Sequence, residues 1–223
     1  MRPESQTELT ESSFDSATLL TIVVGEEPGQ KRFSVHESFI CSRSEFFRRA
    51  MNGDWAEREE RLVKLPEDDP ETFGIYVNLI YTDSVATTVS DVSDAASACA
   101  SEFVALSKLY VLSEKLCDNA AKNATVDALW NLKNDTAPGS TRYAPTHEAI
   151  NILYAGTPKT SLARQLMADM WTDLKVSYVA TVTDQLPRDF LVDLSISLLK
   201  DRPSSKPSVE CKPGVSRYLK KLD

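Results

Sequence analysis

Residues 33–55 read FSVHESFICSRSEFFRRAMNGDW, and how this stretch is read decides the fold. Its opening belongs to a strand: in KRFSVH (31–36), Phe33 and Val35 alternate with polar residues and share one face. Helical spacing follows at once. Phe39, Ile40, Phe46, Phe47 and Ala50 recur at the intervals of a helical turn and are interrupted only by CSRS (41–44). Ser42 or Ser44 stands where a second short helix needs a cap, with Glu45 in its favourable first turn. Asn52, Gly53 and Asp54 stop it. One of the chain's two histidines therefore sits at a strand-to-helix joint. No nucleophile or base in a recognisable catalytic motif accompanies it, so His36 reads as architecture and not as a catalyst.

The same logic extends in both directions. Upstream, LLTIVV (19–24) is short, apolar and β-branched, as a buried strand is, and GEEPGQ (25–30) turns it back into 31–36 as a hairpin. Downstream, RLVKLP (61–66) puts Val63 and Leu65 on one face and is a third strand, ended by proline. DDPETFGIYVNLIYTDS (68–84) is the clearest helix. Asp69 caps it, Pro70 suits its first position and Glu71 its N-terminal dipole. Phe73, Tyr76, Val77, Ile80 and Tyr81 then form one broad apolar face. VATTVSDVSDAA (85–96) reads as a polar, β-branched loop. SEFVALSKLYVLSEKL (101–116) is a helix with Phe103, Leu106 and Tyr110 on one side, widened by Val104, Leu109 and Leu112, which predicts burial on several sides. CDNAAKNATVDALWNLK (117–133) is a small-residue helix with Trp130 as its anchor.

NDTAPGSTRYAP (134–145) is a linker, and the pattern beyond it is wholly helical. Ile150, Leu153 and Tyr154 group together in 146–156. Leu162, Leu166 and Met170, joined by Met167 and Trp171, group in 161–181, and Leu191, Leu194 and Leu198 in 187–200. Residues 1–16 and 201–223 lack the apolar content to offset ordering entropy and are expected to be disordered tails, the second weakly basic through Lys206, Lys212, Arg217, Lys220 and Lys221. That basic tail is read as solvated, in preference to a nuclear signal or a partner-binding arm.

Composition narrows the function classes. Of 223 residues, 42% are apolar and 26% charged, with a net charge of −8, so the chain is acidic overall and repels nucleic-acid phosphates. No uninterrupted apolar run approaches a membrane span, and the N-terminus has no apolar signal core, so neither membrane insertion nor export is expected. Cys41, Cys99, Cys117 and Cys211 form no CxxC pair and have little histidine to help them, so no metal is expected and the thiols are expected to be reduced, in the cytoplasm or nucleus. GEEPGQ is not a phosphate-binding loop. The carboxylates of EDDPE (67–71) are explained by helix capping. With no catalytic constellation and no cofactor motif to name, an enzyme is not expected.

The order strand, turn, strand, helical hairpin, strand, long helix, loop, helix resembles a BTB/POZ domain. The resemblance is carried by TIVVG (21–25), KRFSVHESFICSRSEFFRRAM (31–51), RLVKLPEDDPETFGIYVNLIYT (61–82) and SEFVALSKLYVLSEKL (101–116), and it looks most like the sequence-diverse BTB proteins of fungi. It implies an α+β fold in which a small three-stranded sheet is flanked by about five to six helices over 17–122, with an all-helical extension over 123–200. It also implies a non-enzymatic protein–protein interaction module that self-associates, as a homodimer, or binds an adaptor. The alternatives are a substrate adaptor on a cullin scaffold in a ubiquitin ligase and a transcription-associated scaffold. The surface implied is the hairpin (Phe39, Phe46, Phe47) together with the following helix (Tyr76, Ile80, Tyr81), with His36 as the structural marker of the fold. Leu19 and Glu37 stand where many animal members carry an Asp and a Lys or Arg, which argues against a charged corepressor pocket. Residues 1–16 show no swapped helix and strand, and the loop after Thr82 lacks the Glu of cullin-binding members.

Overall fold

The computed structural model describes residues 18–52, 59–87, 94–134 and 143–200. Both expected tails, the stop at 53–54, most of the 134–145 linker and the middle of the 85–96 loop lie outside those residues.

Three strands form one sheet in the order β2–β1–β3: β1 (Leu19–Val24), β2 (Lys31–His36) and β3 (Leu62–Leu65). β1 and β2 are an antiparallel hairpin that pairs Leu20 with Val35 and Ile22 with Phe33, while β3 lies parallel to β1, Ile22 opposite Val63 and Val24 opposite Leu65. Because side chains alternate along a strand, Leu20, Ile22, Val24, Val35, Val63 and Leu65 all reach the same face, and all are buried. Gly25 closes β1 with φ +80° and donates its N–H to the Leu65 carbonyl at 2.9 Å. A side chain there would be strained by the left-handed backbone and would press on the Pro70 ring.

The helical hairpin is α1 (Glu37–Arg43) and α2 (Glu45–Asn52). Ser44 lies between them, and its hydroxyl accepts from the Phe47 N–H and donates to the Leu116 carbonyl at 2.6 Å. Of the two serines suggested by the sequence, Ser44 is therefore the cap. Helix α3 (Pro70–Thr82) starts at its Asp69 cap. Thr72, Phe73, Tyr76, Leu79 and Ile80 are its buried face, so Leu79 takes the place expected for Tyr81, which turns outward. Helix α4 (Ala95–Lys115) begins six residues before the expected 101, capped by the Asp94 carboxylate on the Ser97 N–H at 2.9 Å. The added turns, AASACA, have no large apolar residue to set a period, so the sequence pattern is silent there.

Helices α5 (Asn119–Asn134), α6 (His147–Gly156), α7 (Leu162–Trp171), α8 (Val176–Val182) and α9 (Arg188–Lys200) complete the described residues, with a single 3-10 turn before α9. α5 runs straight through residue 122, where the first unit was expected to end. Its buried stripe is Ala121, Thr125, Leu129 and Lys133, which leaves the expected anchor Trp130 exposed. The buried Lys133 ammonium donates to the Met170 carbonyl at the C-terminal end of α7, 2.7 Å away. In α7 the buried residues are Ala163, Arg164, Met167, Ala168, Met170 and Trp171, and Leu162 faces solvent. The segment 161–181 is two helices, broken at residues 172–175.

Two apolar clusters result. The first joins the sheet to α1, α2, α3 and the last turns of α4 through Leu109, Leu112 and Leu116. The second joins the middle of α4 (Phe103, Leu106, Tyr110) to α5, α6, α7 and α9. One 21-residue helix thus serves both cores, which explains the breadth of its apolar face. By length and composition alone α4 would also suit a membrane span; here it packs against helices and sheet on several sides. Between α4 and α6, Gly156 lies so close to Val111 that a methyl group in its place would fall inside the valine side chain.

Candidate functional site

The strand-to-helix joint carries a surface feature made of three rings. His36 has extended backbone angles as the residue before α1, and its side chain makes no cap bond to that helix. It turns to the end of α3 instead. The Tyr81 hydroxyl accepts the His36 backbone N–H at 2.9 Å and lies 2.7 Å from Nδ1. With the single phenolic proton given to Nδ1, the imidazole proton sits on Nε2 and both contacts are made at once. The Phe39 ring stacks on Tyr81 with centroids 5.2 Å apart at 29°, and the His36 ring touches both, at 5.9 and 5.8 Å.

The patch is open. Phe39 is 47% and Tyr81 40% exposed, and Leu19, the strand partner of His36, is 49% exposed. Ion pairs of both polarities flank it: Arg43 to Asp83 at 2.6 Å and Arg61 to Glu37 at 2.7 Å. Asp83 ends α3 in the left-handed conformation, φ 53°, which Asp tolerates better than most residues and which aims its carboxylate at α1.

A buried polar cluster holds this geometry from below. The Asp118 carboxylate, fully buried, accepts from the Tyr76 hydroxyl at 3.1 Å and pairs with the Arg43 guanidinium at 3.3 Å. Its other oxygen accepts the Ala121 N–H at 2.9 Å and so caps α5. Burial, and then the Asp118 charge, push the Tyr76 phenol far above its ordinary range, so it stays a proton donor. Arg43 thus links a buried acid to the surface Asp83, and α1 is fixed against α3 and α5 together.

The six residues singled out from the sequence fall into three groups. Phe39 and Tyr81 meet in the exposed stack with His36. Phe46 is half-buried, its ring edge-on to Phe47 at 5.2 Å. Phe47, Tyr76 and Ile80 are buried and contribute no surface to this chain. Sequence reasoning did not reach Leu19 as a patch residue, because LLTIVV shows no alternation to say which side is wet. Nor did it reach Asp118, whose partners lie 42 and 75 positions away along the chain. Among the described residues no three His, Cys, Asp or Glu side chains group as metal ligands. Burial, helped by Glu37, raises the Cys41 thiol, and burial raises that of Cys99.

The site thus stands on a three-stranded sheet capped by a helical hairpin and closed by a long helix, with exposed rings at the hairpin. Residues 11–119 match the family model of the BTB/POZ domain, and the chain carries that domain. The described fold is the α+β fold of that family, with further helices C-terminal to the match. No curated protein matches the chain.

Proposed function

We propose that this protein self-associates through the His36–Phe39–Tyr81 patch, two copies meeting at their helical hairpins, and that residues 123–200 form a helical extension carried on the BTB/POZ unit of residues 17–122. The observation that carries this reading is the exposed Phe39–Tyr81 stack. Two large rings held in solvent by ring and hydrogen-bond contacts form a preorganised apolar anchor, the kind that dominates protein contacts. Its rim supports a second copy as the partner. An isologous contact places each patch against its own image, so it needs both charge signs at the edge, and Arg43–Asp83 and Arg61–Glu37 supply them.

Light scattering on the full chain, with a calorimetric titration against the N-terminal region of a cullin scaffold, tests the proposal. A mass of two chains without cullin binding is the expected result. A mass of one chain with micromolar cullin binding would replace it with a ligase-adaptor role.

A further inference from the structure

Helix α9 is apolar on two opposite sides. Its inward side, Phe190, Leu194 and Ser197, is buried in the second core, where the Phe190 ring meets Trp171 and Tyr154 with centroids 5.1 and 5.5 Å apart. At 3.6 residues per turn, Val192, Ile196 and Leu199 fall on the side facing away from it. They are 51%, 46% and 57% exposed, and as i, i+4, i+7 they form one continuous stripe. Next to it, between α7 and α9, runs a mostly polar groove of about 300 Å³, lined by Lys159, Arg164, Asp193 and Lys200 as well as Leu162 and Ile196. A surface helix has one apolar side; a helix apolar on two sides is packed on both.

We infer that the outer side of α9 is covered by the C-terminal segment of the same chain, residues 215–222. In VSRYLKKLD (215–223), Val215, Tyr218, Leu219 and Leu222 stand at i, i+3, i+4 and i+7, a helical apolar stripe of the same length as the one it would cover, with Arg217, Lys220 and Lys221 off that stripe. Residues 201–223 hold six cations and three anions, a net of +3, and Asp189 and Asp193 on α9 are the anions nearest the stripe.

Reach favours it as well. The connection 201–214 leaves directly from the end of α9. As a flexible chain it spans roughly 20 Å on average, and about 45 Å fully extended. The 13 residues of α9 measure about 20 Å, so the segment reaches any point of the stripe. A second copy is the weaker occupant. Three side chains on one helix fall well short of the roughly 800 Å² per partner that a stable interface buries, whereas a tethered segment needs far less because its effective concentration is in the millimolar range.

Hydrogen exchange read by mass spectrometry on the full chain tests the inference. The expected result is that the amides of 216–222 exchange at least about tenfold more slowly than in a free peptide of that sequence, equally at high and low protein concentration. That protection is lost both in Ile196→Lys, where α9 itself stays protected, and in Leu219→Lys, which leaves the helical bundle untouched. Exchange at the free-peptide rate in the wild type would overturn it. So would protection that fades on dilution, which would mean a second copy, or protection that survives Leu219→Lys.

Discussion

Asp118 has no exposed surface, yet it holds Arg43, Tyr76 and the first amides of α5 in one place. Removing one member of such a cluster strands the others, and a buried charge without a partner costs far more than the pair contributes. Asp118→Ala is therefore expected to lose about 3–5 kcal/mol in urea unfolding, leaving Arg43 with only the exposed Asp83. Asp118→Asn, which keeps an acceptor for the Ala121 N–H, is expected to lose less. None of this could be read from CDNAAK alone: the residues show where a helix starts, but not that the capping carboxylate also faces α1 and α3. The rings illustrate the same limit. Spacing put Phe39 and Phe47 on helices, but which side of each helix meets solvent is fixed by Tyr81 and Phe73 lying across from them.

Among the elements, α3 was legible almost to the residue, because its start is written locally in Asp69, Pro70 and Glu71. Burial tends to raise the Asp69 carboxyl, but bonds from the Thr72 hydroxyl and the Glu71 N–H, with Lys108 nearby, outweigh it and hold the group below its ordinary value. A carboxylate lowered in the folded state stabilises above its unfolded pKa, near 4, and that contribution fades as the pH falls toward the folded value. Asp69→Ala is expected to lose about 1 kcal/mol at pH 7, and the gap from wild type is expected to narrow below roughly pH 4 in urea unfolding followed against pH. Gly156→Ala is expected to cost about 1–3 kcal/mol, because the added methyl must push α6 off Val111 on α4; the unfolding midpoint measures it. The start of α4 and the orientation of α9 were not legible. The first turns of α4 have only small residues. α9 has apolar residues on opposite sides, and periodicity alone favours Leu191, Leu194 and Leu198. The fit of Phe190 between Trp171 and Tyr154 turns the helix to a neighbouring face that keeps Leu194 and leaves Leu198 exposed.

For the whole molecule, the sheet, hairpin and closing helices were legible because several motifs stand in a fixed order, and order is harder to mimic than any single motif. The division of the interior was less so. Two apolar clusters share α4, and α5 adds Ala121 to the first and Leu129 to the second, which makes the C-terminal helices continuous with the domain core. The aromatic patch sits on the first cluster's side, at the hairpin, and the double-sided α9 on the second's, so a contact at one leaves the other free. Sedimentation equilibrium of the full chain with and without Phe39→Glu tests the role of the patch most directly, since the substitution puts a charge on an exposed ring position and leaves the core untouched. A wild type of two chains and a Phe39→Glu variant of one, with unchanged circular dichroism, is the predicted result. A wild type that stays a single chain at tens of micromolar, or a variant that associates as tightly as the wild type, would contradict it.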